Sequence, residues 1–168
     1  AIADGHAIEL ESARLRLASM HALAELGHLE EAAAAGERAI EILDRRGEAR
    51  LAARAALNLG VVDVRRDRPE SALRRFDLAE AELRSDPLIA GQIDSNRGEA
   101  FVVLGRFEAA RGAFESALGW FRGVGAEWQA AIALGNLGDL AQRAGRLGEA
   151  LGRFEEARTA FERTGSGA

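Results

Sequence analysis

The chain has 168 residues, 48% of them apolar and 29% charged, with a formal net charge of -5. That is enough apolar material for one or two compact domains or one elongated array, and the charge is too evenly balanced for a nucleic-acid footprint. No apolar run is long enough to cross a membrane, no signal-peptide pattern opens the chain, and the lack of cysteine excludes a disulfide frame and thiolate chemistry. A cytoplasmic location is the expectation. The only methionine is Met20, so residue 1 is not a natural start and the chain is expected to be cut from a longer protein. All 22 basic residues are arginine, a bias that together with the Ala and Gly excess suggests a GC-rich bacterial genome.

Apolar residues recur with the helical period throughout, and no segment alternates for long enough to suggest a strand. In chain order, helices are predicted at about 8–26 and 29–45, turning at Gly27, and at 48–66 and 69–85, turning at Asp67. They continue at about 88–104 and 107–122 around Gly105, and at 127–144 and 147–163 around Gly145. Glycine just past a helix end takes the left-handed conformation that satisfies the last carbonyls. Where Asp67 replaces it, Pro69 follows and opens the next helix, and Pro87 after Asp86 does the same for the third pair.

The last helix carries Leu147, Ala150, Leu151, Phe154, Ala157 and Phe161 on one stripe. Forty residues earlier the stripe recurs as Phe107, Ala110, Phe114, Ala117 and Phe121. It recurs again as Pro69, Ala72, Phe76, Ala79 and Leu83, and as Leu29, Ala32, Gly36, Ala39 and Leu43. Four copies at a spacing of 38 to 40 mark a stacked repeat. No hairpin can bury its stripe alone, so an all-α solenoid of four hairpins is expected, a single array with repeats at about 8–47, 48–87, 88–126 and 127–165. Residues 1–4 align with 41–44, the end of a second helix, and Gly165, Ser166 and Gly167 fall in an inter-repeat loop with no capping helix. Both ends therefore read as cuts through a longer array.

The chain's three asparagines, Asn58, Asn96 and Asn136, fall in one column, two residues before Gly60, Gly98 and Gly138. Asparagine is mediocre in mid-helix, so three uses at one register need a reason. Each amide either ties to the neighbouring hairpin or water, or faces a ligand to which it both donates and accepts. Other candidates offer less. His6, His21 and His28 have no cysteine or paired carboxylates at ligand spacing, so no metal is expected. Gly123, Val124 and Gly125 have no lysine after them and no strand before, which excludes a phosphate cradle. Glu30, Glu31, Glu155 and Glu156 lie opposite the stripe and read as surface. No nucleophile, base and orienting residue stand out, so neither an enzyme nor a cofactor is expected. Trp120 and Trp128 flank the third inter-hairpin loop, where core packing is the default and an exposed hot spot the alternative.

The set of columns resembles the tetratricopeptide repeat family. Its small residue at the eighth position is Gly60, Gly98 and Gly138, with Met20 departing. Its alanine at the twentieth is Ala32, Ala72, Ala110 and Ala150, and at the twenty-seventh Ala39, Ala79, Ala117 and Ala157. Its aromatic at the twenty-fourth is Phe76, Phe114 and Phe154, with Gly36 departing. The longer spacing looks like the subtype found in kinesin light chains, spindle-orientation adaptors and bacterial signalling proteins. The resemblance implies a right-handed α-solenoid that binds a peptide or helix of a protein partner, or of another domain of its parent. On the implied concave face stand Asn58, Asn96 and Asn136, with Arg14, His21, Arg54, Val61, Arg65, Gln92, Glu99, Asp139, Gln142 and Arg143 around them. The alternative is a scaffold formed by end-to-end stacking or dimerisation through uncapped ends. Neither nucleic acid nor membrane is an expected partner.

Overall fold

The computed structural model describes residues 2–165, and the side chains of 7–165. It contains α1 (Ile2–Glu25), α2 (Leu29–Arg45), α3 (Ala49–Arg65), α4 (Pro69–Leu83), α5 (Pro87–Val103), α6 (Phe107–Gly123), α7 (Glu127–Arg143) and α8 (Leu147–Gly165). No strand occurs among the described residues. Seven of the eight helices agree with the predicted spans to within two residues at each end. The first begins at Ile2 rather than near residue 8, because Gly5 does not interrupt it and no proline stands before Ile8. Residues 2–4 thus belong to α1 itself rather than to a separate preceding helix. Residue 1, Ser166 and Gly167 lie outside the described residues, as does the side chain of His6.

One backbone device ends six of the helices. Gly27, Gly47, Asp67, Gly105, Gly125 and Gly145 all have positive φ. After each, the next N–H folds back to a carbonyl of the last turn, as His28 does to Leu23 (2.9 Å) and Arg68 to Asp63 (2.9 Å). Four of these are the turns predicted within hairpins; Gly47 and Gly125 repeat the device between hairpins. Asp67, at φ 56, adopts a conformation that L side chains other than Asn and Asp rarely accept. After α4 the device is absent, and Asp86 caps α5 instead, accepting the N–H groups of Leu88 (3.1 Å) and Ile89 (3.3 Å). Both prolines stand first in their helices, as expected.

The chain divides into two compact units, Ala1–Arg84 and Ser85–Ala168, each with two hairpins. In the second unit, Gly98 of α5 faces the ring of Phe114 on α6, and Gly138 of α7 faces Phe154 on α8. Without a Cβ on the first helix, the aromatic ring lies flat against its backbone and the two helices approach closely. Ala110, Phe114, Ala117 and Phe121 of α6 then join Ala130, Leu134 and Leu137 of α7 in one core.

The first unit builds its α3–α4 hairpin the same way, with Gly60 against Phe76. In the α1–α2 hairpin the partners are exchanged. Met20 occupies the glycine column, Gly36 the aromatic column, and a Cβ on Gly36 would lie 2.7 Å from the Met20 sulfur. The two departures noted in the sequence are therefore one compensating swap of large for small across the same contact. Met20 is fully buried and packs with Ala24, Ala32, Leu59 and Val62, which couples this hairpin to α3.

Candidate functional site

The first helices of the second, third and fourth hairpins carry the asparagine column, and α1 has Ala18 at that register. In the first unit, Asn58 of α3 approaches His21 of α1, with Nδ2 3.4 Å from Nε2, a long contact to a ring nitrogen acting as acceptor. Arg54 and Arg14 are exposed, and Val61 is half-buried. Arg65 is already engaged: its guanidinium donates to the Ala24 carbonyl (2.7 Å) at the end of α1 and pairs with Glu25 (3.7 Å). A cation there satisfies the last carbonyls of α1 and complements its dipole, so this candidate side chain also ties α3 to α1.

In the second unit, α5 brings Gln92, Asn96 and Glu99 to the column, and α7 brings Asn136, Asp139 and Gln142. Asn96 and Asn136 are half-buried, and the amide nitrogen of Asn136 is buried with no hydrogen-bond partner among the described residues. The Glu99 side chain reaches solvent, yet surrounding protein pushes its pKa above the ordinary carboxylate value, with burial the sole cause. Arg143 is not gathered with them: it lines a small cleft with Phe107, Glu108 and Arg111 of α6.

Two buried carboxylates escaped the sequence reading. Asp63 of α3, 1% exposed, accepts from Arg66 (2.9 Å), Ser71 (2.9 Å) and Arg75 (2.6 Å). Those arginines continue to Glu30 and Glu37 of α2, so one network clasps the two hairpins of the first unit. The Glu30 pKa is lowered, chiefly by its hydrogen bond from Arg66. In the second unit Asp94 of α5 accepts from Ser116 (2.6 Å), Trp120 (3.2 Å) and Arg97 (3.5 Å). The signal available was a charged residue in a column otherwise apolar: Leu23, Phe101 and Ala141 share the register of Asp63.

Trp120 thus packs as the default reading expected, whereas Trp128 is 57% exposed and meets Phe161 edge to face, with ring centroids 4.8 Å apart. Along α8, Leu147, Leu151, Phe154 and Phe161 leave an apolar stripe open. A cleft of about 620 Å³ lies over α6, α7 and α8, but its charges pair with one another, Arg122 with Glu156 (3.0 Å) and Arg163 with Glu127 (3.9 Å). Among the described residues no three His, Cys, Asp or Glu side chains come together to hold a metal ion, and no helix is long and apolar enough to cross a membrane.

Residues 90–163 match the family model described as tetratricopeptide repeat. No curated protein matches the chain by sequence. Among solved structures, the chain is similar in fold to MamA, with a TM-score of 0.70 and 16% identity over 92% of this chain and 81% of that one. It is similar to BtubC (BKLC) from P. vanneervenii, with a TM-score of 0.80 and 17% identity over 93% of this chain and 65% of that one. It is also similar to MamA 41-end from Desulfovibrio magneticus RS-1, with a TM-score of 0.68 and 18% identity over 90% of this chain and 76% of that one. Residues 90–163 thus carry the tetratricopeptide repeat pattern by direct match, and the first unit is built from the same two-helix hairpins.

Proposed function

We propose that this chain is a non-catalytic protein-binding module. It holds a peptide or helix of a partner, or of another domain of its parent protein, along the first helices of its repeats. Those faces are α1 and α3 in the first unit and α5 and α7 in the second. The observation that carries the reading is the asparagine column, three amides at one register of α3, α5 and α7. Asparagine is a mediocre mid-helix residue, so its use three times at one register is expected where a ligand meets the amides. Arg54 beside Asn58, and Gln92, Glu99 and Asp139 beside Asn96 and Asn136, supply polar contacts at the same register.

The test separates folding from binding. Alanine at Asn58, Asn96 or Asn136 should leave thermal stability unchanged or raised, because alanine is the better helix former. Asn136→Ala should gain most, since it also removes the unpaired donor. Binding to proteins captured from the source organism's lysate should weaken by roughly 1–3 kcal/mol per site. Destabilised variants that still capture the same proteins would reject the reading. A scaffold role by self-association is the second reading, favoured by the open stripe on α8. It requires an apparent mass that rises with concentration in light scattering.

A further inference from the structure

The first unit shows which register positions meet across neighbouring first helices. Asn58, two residues before Gly60, reaches His21, the residue after Met20 in the glycine column. The same two positions in the second unit are Asn136 on α7 and Glu99 on α5. Among the described residues the amide nitrogen there has no partner, and the carboxylate has no guanidinium or N–H to offset its partial burial. Asp139, the residue after Gly138, adds a second exposed carboxylate at the register of Glu99. The residues beside them are small. Where the first unit has Leu17 and Leu57, the second has Ser95 and Gly135, and a Cβ on Gly135 would meet nothing within 4 Å. Glycine in mid-helix costs about 1 kcal/mol relative to alanine, and no packing among the described residues requires it here.

We propose that the α5–α7 face of the second unit takes a lysine or arginine side chain of the bound segment, its cationic head between Glu99 and Asp139 and beside Asn136. This rests on the protein-binding reading above and adds the chemistry of the partner to it. Charge complementarity selects the occupant. An acidic side chain would meet two carboxylates, an apolar one would leave Glu99 desolvated and unpaired, and a cation gains from both. The candidate cation of this unit, Arg143, lines the cleft beside α6 and leaves the position open. The equivalent face of the first unit, with Arg54 and His21 around Asn58, has the opposite character.

The whole chain, its Glu99→Gln variant and its Asp139→Asn variant are each used to select binders from a random dodecapeptide phage library. The selected peptides are then mapped by amide chemical shifts of the ¹⁵N-labelled chain. The expected result is peptides enriched in Lys and Arg that perturb residues 92–103 and 132–143 and bind Glu99→Gln roughly tenfold or more weakly. Peptides that perturb this face without basic enrichment, or that bind Glu99→Gln equally well, overturn the cation subsite and leave the protein-binding reading standing. A library that yields no binder, or only binders that perturb neither first-helix face, overturns both. Thermal melts of Glu99→Gln, Asn136→Ala and the double variant close the remaining gap. Additive changes are expected; strong coupling means that the two side chains serve each other rather than a ligand, and also overturns the proposal.

Discussion

Gly98→Ala isolates the contact on which each hairpin depends. The farthest of the three nearest Phe114 ring carbons would lie only 2.7 Å from the added methyl, and Phe114 is 2% exposed, so the ring has nowhere to turn. Overpacking of this kind costs roughly 1–3 kcal/mol, while replacing a mid-helix glycine by alanine returns about 1 kcal/mol. Gly112→Ala, on α6 with nothing within 4 Å of the new methyl, receives the helix gain alone. The difference between the two variants therefore cancels the helix term and reads the steric one, roughly 1–3 kcal/mol, or roughly 2–12 °C in Tm at this chain length. Gly138→Ala should fall between them, because Phe154 is 36% exposed and can swing outward. Urea or thermal melts of the three variants give the order directly. A Gly98→Ala protein as stable as Gly112→Ala would refute the claim that glycine sets the approach of the paired helices.

Two further outcomes follow from the first unit. Met20→Gly should cost roughly 2–5 kcal/mol as a core truncation and Gly36→Phe roughly 1–3 kcal/mol by overpacking, yet the double variant should cost less than the sum, since it restores the pairing of the other three hairpins; additive urea midpoints would count against the swap. Asp63→Ala should cost roughly 3–5 kcal/mol, toward the lower end because Arg66 and Arg75 keep Glu30 and Glu37, whereas Glu30→Gln at the exposed end of the network should be barely felt; equal melts for the two would show that burial does not govern the clasp.

The turns and the columns of small and aromatic residues were legible in the sequence because each reflects a local constraint repeated four times. Gly27, Asp67, Gly105 and Gly145 need the left-handed conformation whatever surrounds them, and three of them can be read without tertiary information. The exchange of Met20 and Gly36 was not legible as one event. Each residue breaks its own column, and only the fold shows that positions sixteen residues apart touch. Asp63 and Asp94 were hidden for a related reason: a carboxylate in a helix reads as surface until its partners on other helices are placed around it. For the candidate site, register alone aligned the three asparagines. It could not say that one amide meets a histidine while the nitrogen of another has no partner among the described residues.

That division has a physical root. The residues that build each hairpin and those proposed to meet a partner occupy different columns of the same first helix. Gly98 is committed to Phe114, while its neighbour Glu99, partly desolvated by surrounding protein, still reaches solvent. Substitutions at the column of His21, Val61, Glu99 and Asp139 therefore change charge and shape at the surface without disturbing the contact that sets helix approach. One fold then carries opposite chemistry in its two units, a histidine and arginines around Asn58 and carboxylates around Asn136. For the binding role proposed above, a side chain that suits one face is mismatched in charge to the other.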